Sequence, residues 1–248
     1  MTRPLPDAWD MKARIEALGH TASLAPLIEI VPEEIAGDAF DGAAGIIATS
    51  QNGLRALAMS GLTSKVNRLQ VYAVGEATAK LAADLKLPNI TAGRGTAEDL
   101  VPVIAERHKD RPGRLVHLAG DHLAFDLKGA LAGKGIDVQT LPAYRSVAAD
   151  RLPPEVAGDL KRGRIHAVTL MSPRTATIWR QLAAKHGLQG EFGALVHLCL
   201  SEAVADTLQG TGEPGTGAPF GKVEVAAEPN MQEMLALIKG LAAQFGQE

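Results

Sequence analysis

Short apolar runs alternate with segments of helical periodicity along most of this chain. Runs such as residues 45–48 and 168–171 lack the in-and-out alternation of a half-exposed strand, which indicates strands buried on both faces. A helical pattern follows each run, and this order recurs. Apolar strands separated by helices predict an α/β fold with parallel sheets.

The pattern places each element with definite bounds. The predicted strands cover residues 45–48, 69–74, 89–92, 115–119, 138–141, 168–171, 195–200 and 223–226. The predicted helices cover residues 8–18, 53–60, 76–85, 97–106, 123–131, 174–185, 202–208 and 231–245. Asp7, Thr96 and Asp121 are expected to cap helices, and a strand before the first helix is short or missing. The Gly- and Pro-rich stretch 210–221 predicts a mobile loop.

The two halves of the chain share one plan. Residues 47–50 align with 169–172, and residues 71–77 align with 197–203 after a small shift, as an internal repeat requires. Extended segments near 28–34 and 142–150 interrupt the pattern. The expected organisation is an inserted domain over 35–141, a discontinuous domain made of 1–28 plus 150–248, and connectors over 29–34 and 142–149.

Small neutral residues begin several helices directly after a strand. Ser50 and Ser172 suit the N-cap, and further starts of this kind lie at Gly75-Glu76, Thr96 and Ser201. Unpaired N–H groups and the helix dipole make such a start an anion site at the carboxyl edge of a parallel sheet. A structural cap explains any single start equally well. Several starts on matching edges favour a ligand with several carboxylates.

Composition narrows the class of protein. A net charge of −3 over 248 residues gives no general attraction to nucleic acid or to an anionic membrane. The first residues lack the apolar core of a signal peptide, and no apolar run approaches the length of a membrane span. A cytoplasmic protein is expected. The single cysteine, Cys199, lies in an apolar run and fits a buried strand better than a nucleophile.

Common cofactor and metal patterns do not occur in the sequence. The seven histidines show neither paired helical spacing nor cysteine partners, so no metal site is predicted. Gly93-Arg94-Gly95 lacks the rest of a dinucleotide fingerprint. Neither a P-loop nor a nucleophile elbow is present. We therefore expect no cofactor, and a methyltransferase or dehydrogenase is disfavoured.

A few polar side chains remain as candidates, each with a structural alternative. Arg3 and Arg174 could bind a ligand carboxylate, or could be solvated surface residues. Glu76 and Glu202 suit helix starts, which favours a structural role. Tyr144 lies where the chain returns between the domains. Its phenol could donate a proton, or its ring could pack a hinge.

At these residues the sequence resembles the uroporphyrinogen-III synthase family. The likeness runs nearly end to end, and the order and spacing of its motifs make it specific. The residues that carry it are Thr2-Arg3-Pro4, Leu18-Gly19-His20, Pro26-Leu27-Ile28-Glu29-Ile30, Ala48-Thr49-Ser50-Gln51-Asn52-Gly53, Val74-Gly75-Glu76-Ala77-Thr78-Ala79, Pro142-Ala143-Tyr144, Ser172-Pro173-Arg174-Thr175-Ala176 and Ser201-Glu202-Ala203.

The resemblance implies two flavodoxin-like α/β domains joined by a two-stranded connector, with the active cleft between them. It implies a linear hydroxymethylbilane substrate, received from the preceding enzyme of heme biosynthesis by a monomeric protein. The enzyme would close this chain to uroporphyrinogen III, with inversion of the last pyrrole ring, loss of water and no cofactor. Loss of the hydroxyl gives a resonance-stabilised cation, so orientation of the substrate would be the main catalytic contribution.

The resemblance also suggests roles for individual residues. Tyr144 would help the hydroxyl to leave, whereas Ser50, Thr78 and Ser172 would line the cleft. Asn230 replaces the Thr that relatives often have. With the helix starts included, the predicted substrate-binding residues are Arg3, Thr49, Ser50, Gly75, Glu76, Ala77, Thr78, Ser172, Ser201 and Asn230. The alternative function is a non-catalytic, two-domain cytoplasmic module that binds a polycarboxylate.

Overall fold

A computed structural model describes residues 1–109, 112–210 and 220–245. The chain forms two compact units. Ile30–Ser146 is the inserted unit, and Met1–Glu29 together with Val147–Glu248 is the terminal unit. Most of the predicted mobile loop over 210–221 lies outside the described residues. In the described parts of the chain, none of the helices combines the length and the apolar character needed to span a bilayer.

The elements follow the predicted alternation of strand and helix. The strands are β1 (Ile28–Pro32), β2 (Ala43–Ala48), β3 (Gln70–Ala73), β4 (Ile90–Ala92), β5 (Arg114–Gly120), β6 (Val138–Ala148), β7 (Ala167–Leu170), β8 (Val196–Cys199) and β9 (Val223–Val225). The α-helices are α1 (Asp7–Ala17), α2 (Gln51–Met59), α3 (Glu76–Asp84), α4 (Ala97–His108), α5 (Leu127–Ala132), α6 (Pro154–Lys161), α7 (Pro173–His186), α8 (Gln189–Gly193), α9 (Glu202–Gln209) and α10 (Met231–Phe245). A short 3₁₀-helix covers Leu62–Val66.

The sheet of the inserted unit has the strand order β1-β6-β5-β2-β3-β4. Strands β2 to β6 pair in parallel along this order. Numbered by their sequence from β2 to β6, these five strands run 3-2-1-4-5. That order matches the first five strands of a doubly wound dinucleotide fold, 3-2-1-4-5-6, whereas flavodoxin has 2-1-3-4-5. For this unit the flavodoxin-like prediction holds for the parallel α/β plan but is wrong for the strand order.

Both faces of this sheet are buried, which explains the unbroken apolar runs. Ile46 and Ala48 of β2 belong to a core that includes residues of α2 and α3. Ile47, between them, belongs to a second core with Leu100 of α4 and Leu127 of α5. Successive side chains of a strand point to opposite faces, so one short strand serves two cores. The prediction of doubly buried strands is confirmed.

The terminal unit contains a parallel sheet of β7, β8 and β9. The first residues of the chain lie beside β7 without forming a further strand. The hydroxyl of Thr2 donates to the carbonyl of Thr169, and Leu27 N–H donates to the carbonyl of Thr2. The strand order of this sheet is β7-β8-β9, with the strands in the order of the sequence. For this unit the structure agrees with the predicted parallel α/β plan.

The two units share an arrangement of three parallel strands. Strands β7, β8 and β9 correspond to β2, β3 and β4. Matching hydrogen bonds occur beyond the strand ends: Val74 N–H to the Ala48 carbonyl, and Leu200 N–H to the Leu170 carbonyl, both at 3.0 Å. The internal repeat found in the sequence is thus a structural repeat of these three strands and their connections.

Some predicted bounds are wrong. The helix expected over 123–131 begins only at Leu127, because Asp126 caps it by accepting the N–H of Gly129 at 2.9 Å. The expected cap, Asp121, instead accepts the N–H of Ser146 at 3.0 Å. Asp7 is likewise no cap but the first residue of α1. Strand β6 continues past residue 141, and α6, α8 and the 3₁₀-helix were not predicted.

Candidate active site

Strands β2 and β5 of the inserted unit lie side by side, but the chain leaves them in opposite directions. From β2 it proceeds to β3, and from β5 to β6, on the other side. Such a reversal of strand order opens a crevice at the carboxyl ends of the strands, where parallel α/β sheets bind ligands. The residues at this point are Thr49-Ser50 after β2 and Gly120 at the end of β5.

Ser50 begins α2 as predicted. Its backbone is extended, and its hydroxyl accepts the N–H of Asn52 at 3.1 Å. The first turn of α2 lies directly on β5, because a β-carbon at Gly53 would come within 2.7 Å of the Leu118 carbonyl oxygen. Glycine at residue 53 therefore allows the start of α2 to lie at the switch point.

Thr49 is half-buried beside Ser50, and its hydroxyl lies 2.9 Å from Nε2 of His117 on β5. His117 is 2% exposed, and burial lowers the pKa of its imidazole to about 4. The ring is therefore neutral near pH 7. Sequence reasoning missed His117, because the contact depends on the register in which Ile47 of β2 pairs with His117 of β5.

The start of α3 differs from that of α2. Gly75 occupies the N-cap with extended backbone, φ −168° and ψ −176°, and provides no side chain to cap the helix. The glycine also leaves room for the neighbouring loop, since a β-carbon there would lie 3.3 Å from Cα of Gly95. Glu76 and Ala77 in the first turn are exposed, whereas Thr78 is buried. This start offers backbone N–H groups without a side-chain cap.

Tyr144 is a buried residue of β6. Its ring lies on Gly120, where an added β-carbon would be 2.7 Å from Cε2 and Cζ and 2.9 Å from the phenol oxygen. Its carbonyl accepts the N–H of Asp121 at 3.2 Å. The register shifts between Ala119 and Gly120, so that Gly120 pairs with Tyr144. Tyr144 therefore lies at the end of β5, at the sheet edge that also carries Thr49.

In the terminal unit, Ser172 and Ser201 follow β7 and β8 with nearly the same extended backbone. Ser172 forms a capping box with Thr175, whose N–H lies 3.2 Å from the serine hydroxyl. Ser201 makes no side-chain cap bond to α9. Ser201 and Gly75 occupy equivalent positions in the repeat. Each unit thus has a capped helix start next to an uncapped one.

Asn230 and Arg3 both have partners within the chain. The amide oxygen of Asn230 accepts the N–H of Glu233 at 2.9 Å, and its amide nitrogen donates to Glu228 at 3.2 Å. Asn230 therefore caps α10. Arg3 donates to the carboxylate of Asp7 at 3.1 Å and is half-buried. A guanidinium has five N–H donors, so this ion pair leaves donors for a second acceptor.

The predicted site residues therefore fall into two groups, one at the carboxyl edge of each sheet. The group in the inserted unit consists of Thr49, Ser50, Gly75, Glu76, Ala77, Thr78 and Tyr144. The group in the terminal unit consists of Arg3, Ser172, Ser201 and Asn230.

Two other reactive side chains of the terminal unit lie in β8. Burial, reinforced by the charge of Glu202, raises the pKa of the Cys199 thiol to about 12, so the sulfur stays protonated and is no nucleophile. Burial lowers the pKa of His197 to about 4, and its Nε2 accepts the N–H of Trp179 at 3.1 Å. Among the described residues, no cluster of three His, Cys, Asp or Glu could hold a metal ion.

A cavity of about 650 Å³ in the terminal unit lies away from these groups. It borders the first part of β7, and its walls include Ile15, Leu160 and Trp179. None of the predicted site residues lines it. Its walls carry both apolar and polar side chains, and because no predicted site residue lines it, we do not assign it to the active site.

Comparisons with known proteins agree with this fold. The family model described as Uroporphyrinogen-III synthase HemD matches residues 10–236. A mutant uroporphyrinogen III synthase from the extremely thermophilic bacterium Thermus thermophilus is 20% identical with a TM-score of 0.55, and the alignment covers 100% of both chains. The uroporphyrinogen-III synthetase from Helicobacter pylori 26695 is 18% identical with a TM-score of 0.63, over 90% of this chain and 96% of that one. No curated protein matches the chain.

The two solved structures support the fold, and the family model supports the assignment of function. Because that model spans most of the sequence, the assignment does not depend on a single motif. The chain belongs to the uroporphyrinogen-III synthase family, the cyclising lyases that act on hydroxymethylbilane in heme biosynthesis.

Proposed function

We propose that this chain closes hydroxymethylbilane to uroporphyrinogen III by binding substrate carboxylates at the uncapped starts of α3 and α9. One observation carries the proposal: Gly75 and Ser201, equivalent in the repeat, lack side-chain caps, whereas Ser50 and Ser172 beside them cap their helices. N–H groups at an uncapped start are available to an anion, and the helix dipole favours it.

The remaining predicted residues surround these two starts. In the inserted unit, Thr49 and Ser50 offer hydroxyls at the end of β2, and Glu76, Ala77 and Thr78 offer the backbone of the first turn of α3. In the terminal unit, Arg3 adds a positive charge that Asp7 holds in place. Ser172 and Asn230 mark the starts of α7 and α10. Their part in substrate binding is inferred from position.

Tyr144 is the proposed proton donor. It would protonate the hydroxyl of hydroxymethylbilane, the C–O bond would break, and water would leave. The positive charge would spread into the adjoining pyrrole. For the last pyrrole to be inverted, the cationic methylene would first bond to the carbon of that ring which already carries the chain, and the older bond from this carbon to the chain would break. The methylene cation released by that cleavage would then bond to the free α-carbon of the same ring, which loses a proton and restores the tyrosine. A phenol is a weak acid, with a pKa near 10 in water, but a stabilised cation needs little assistance. Holding the ends of the substrate together would then provide most of the rate.

The proposal includes the arrangement implied by the resemblance, in which two domains joined by a two-stranded connector hold one substrate. The predicted boundaries, 35–141 for one domain and 1–28 plus 150–248 for the other, belong to it. A cytoplasmic location, a monomeric state and receipt of the substrate from the preceding pathway enzyme are further predictions.

Isomer analysis tests the function. Hydroxymethylbilane left alone closes without inversion to the symmetric isomer, so the purified protein should yield the asymmetric isomer, uroporphyrinogen III. Finding only the symmetric isomer with folded protein would refute the proposal. Release of unchanged hydroxymethylbilane after tight binding would instead support the alternative, a non-catalytic binding module.

A further inference from the structure

We propose that His117 is a positioning residue that acts through Thr49, and that Thr49 hydrogen-bonds to the substrate. The inference rests on the proposed function and adds a residue that the sequence did not suggest. His117 Nε2 lies 2.9 Å from the Thr49 hydroxyl, which is hydrogen-bond distance. The two residues belong to different strands, so the bond crosses from β5 to the end of β2.

The location of this bond supports a role in binding. Strands β2 and β5 flank the point where the strand order of the inserted unit reverses. Ala48 pairs with Leu118, so Thr49 is the first residue beyond the paired part of β2. It also immediately precedes Ser50, the cap of α2. A hydroxyl at this place lies where ligands bind in parallel α/β sheets.

The two side chains differ in exposure, as this role requires. His117 is buried, whereas Thr49 is half-buried and remains open to a ligand. The imidazole therefore holds the hydroxyl from the protein side. A neutral imidazole can accept the Thr49 hydrogen or donate its own, and either bond fixes the orientation of the hydroxyl.

Packing alone does not explain a histidine at this position. Its register partner is Ile47, and its chain neighbours Val116 and Leu118 are also fully buried. An apolar residue would fill such a space without the cost of burying a polar ring. The bond to Thr49 compensates for that cost.

His197 of the terminal unit provides a matched control. It is also a fully buried histidine in a central strand, but its Nε2 bonds to the Trp179 indole within the core. Trp179 is itself buried and stacks on Phe192 with the ring centroids 3.7 Å apart. Replacing His197 should therefore change stability without changing substrate binding.

The test is a double-mutant cycle of Thr49→Val and His117→Leu, with His197→Leu as control. KM and kcat for hydroxymethylbilane are measured together with the thermal midpoint. Each single variant should raise KM about tenfold, the effect of losing one hydrogen bond. The KM of the double variant should equal that of each single variant, because the two residues act as one unit. His117→Gln, which places an amide near the position of Nε2, should restore much of the affinity.

Three results would overturn the proposal: an unchanged KM in Thr49→Val, effects that multiply in the double variant, or a KM change in His197→Leu as large as that in His117→Leu. If His117→Leu does not fold, the KM of Thr49→Ser tests the proposal instead. Thr49→Ser keeps the hydroxyl and should retain the wild-type KM, and a rise as large as that of Thr49→Val would contradict the proposal. Formation of uroporphyrinogen III by the wild-type protein is scored separately, so failure of the proposed function remains distinguishable.

Discussion

The ring of Tyr144 occupies the space above Gly120 that a side chain would need. A β-carbon at Gly120 would lie 2.7 Å from two carbons of the ring, far inside van der Waals contact. Gly120→Ala must therefore displace the phenol. If Tyr144 is the proton donor, we expect turnover to fall about tenfold or more, because small misplacements of a catalytic group are costly.

Steady-state turnover of Gly120→Ala checks this expectation. Gly133→Ala is the matched control, since a β-carbon there would lie no closer than 3.6 Å to its neighbours. The control should retain wild-type turnover. Full activity of Gly120→Ala would show that the position of the phenol does not matter.

Tyr144→Phe removes only the hydroxyl and keeps the buried ring. We expect kcat to fall by roughly 10²-fold, the lower range for loss of a general acid, while the thermal midpoint changes little. The comparison of kcat with the midpoint separates catalysis from folding. Unchanged turnover would remove Tyr144 from the mechanism and leave the substrate's own carboxylates as the proton source.

Ser172 and Ser201 should respond differently to the same substitution. Ser172→Ala removes a capping box, and we expect the free energy of unfolding to drop by about 1 kcal/mol. Ser201 makes no cap bond to α9. Ser201→Ala should therefore lower the free energy of unfolding by less than about 0.5 kcal/mol. Chemical denaturation of both variants provides the measurement. Equal losses would mean that Ser201 caps α9 after all.

Two buried histidines make stability depend on pH. Burial lowers the pKa of His117 and His197 from 6.5 to about 4. Between these values the unfolded chain binds more protons than the folded one, so the unfolding free energy rises with pH. The stabilisation is complete above about pH 6.5 and is lost as pH falls toward 4. It amounts to roughly 3 kcal/mol for each histidine.

Denaturant titrations at several pH values check this dependence. His197→Gln should flatten the slope between pH 4 and 6.5 by about half, because one of the two titrating groups is gone. A free energy of unfolding that is constant across this range would contradict the prediction. It would show that the imidazoles bind protons as readily in the folded chain as in the unfolded chain.

The sequence predicted those features of the fold that depend on neighbours along the chain. The buried run before Thr49 and the cap at Ser50 were recognisable because a strand, a cap and a helix follow one another directly. The same holds for Ser172 and α7. The repeat was also recognisable in the sequence, because its matched strand-to-helix junctions have similar residues.

Features set by long-range contacts could not be predicted. Asp121 and Asp126 are both acceptable caps. Asp121 binds the N–H of Ser146 instead, and Asp126 caps α5, which begins at Leu127. The neighbours of His117 and Tyr144 depend on strand register, including the shift before Gly120. The strand order of the six-stranded sheet likewise depends on pairing rather than on local pattern.

The central claim is that backbone N–H groups at the starts of α3 and α9 bind the substrate. Proline is tolerated at the first helical position and lacks the N–H group. Glu76 and Glu202 occupy that position in α3 and α9. The variants to compare are Glu76→Pro with Glu202→Pro, and Glu76→Ala with Glu202→Ala, which removes the same carboxylates but keeps the N–H groups.

The KM for hydroxymethylbilane of these two double variants is the most direct measurement. Loss of a hydrogen bond to a charged group costs about 1.5–3 kcal/mol. The proline variant loses one such bond at each of the two helix starts, so its KM should be roughly 10²- to 10⁴-fold above that of the alanine variant. Circular dichroism verifies that both are folded. Equal KM values in two folded variants would contradict the claim that these helix starts hold the substrate.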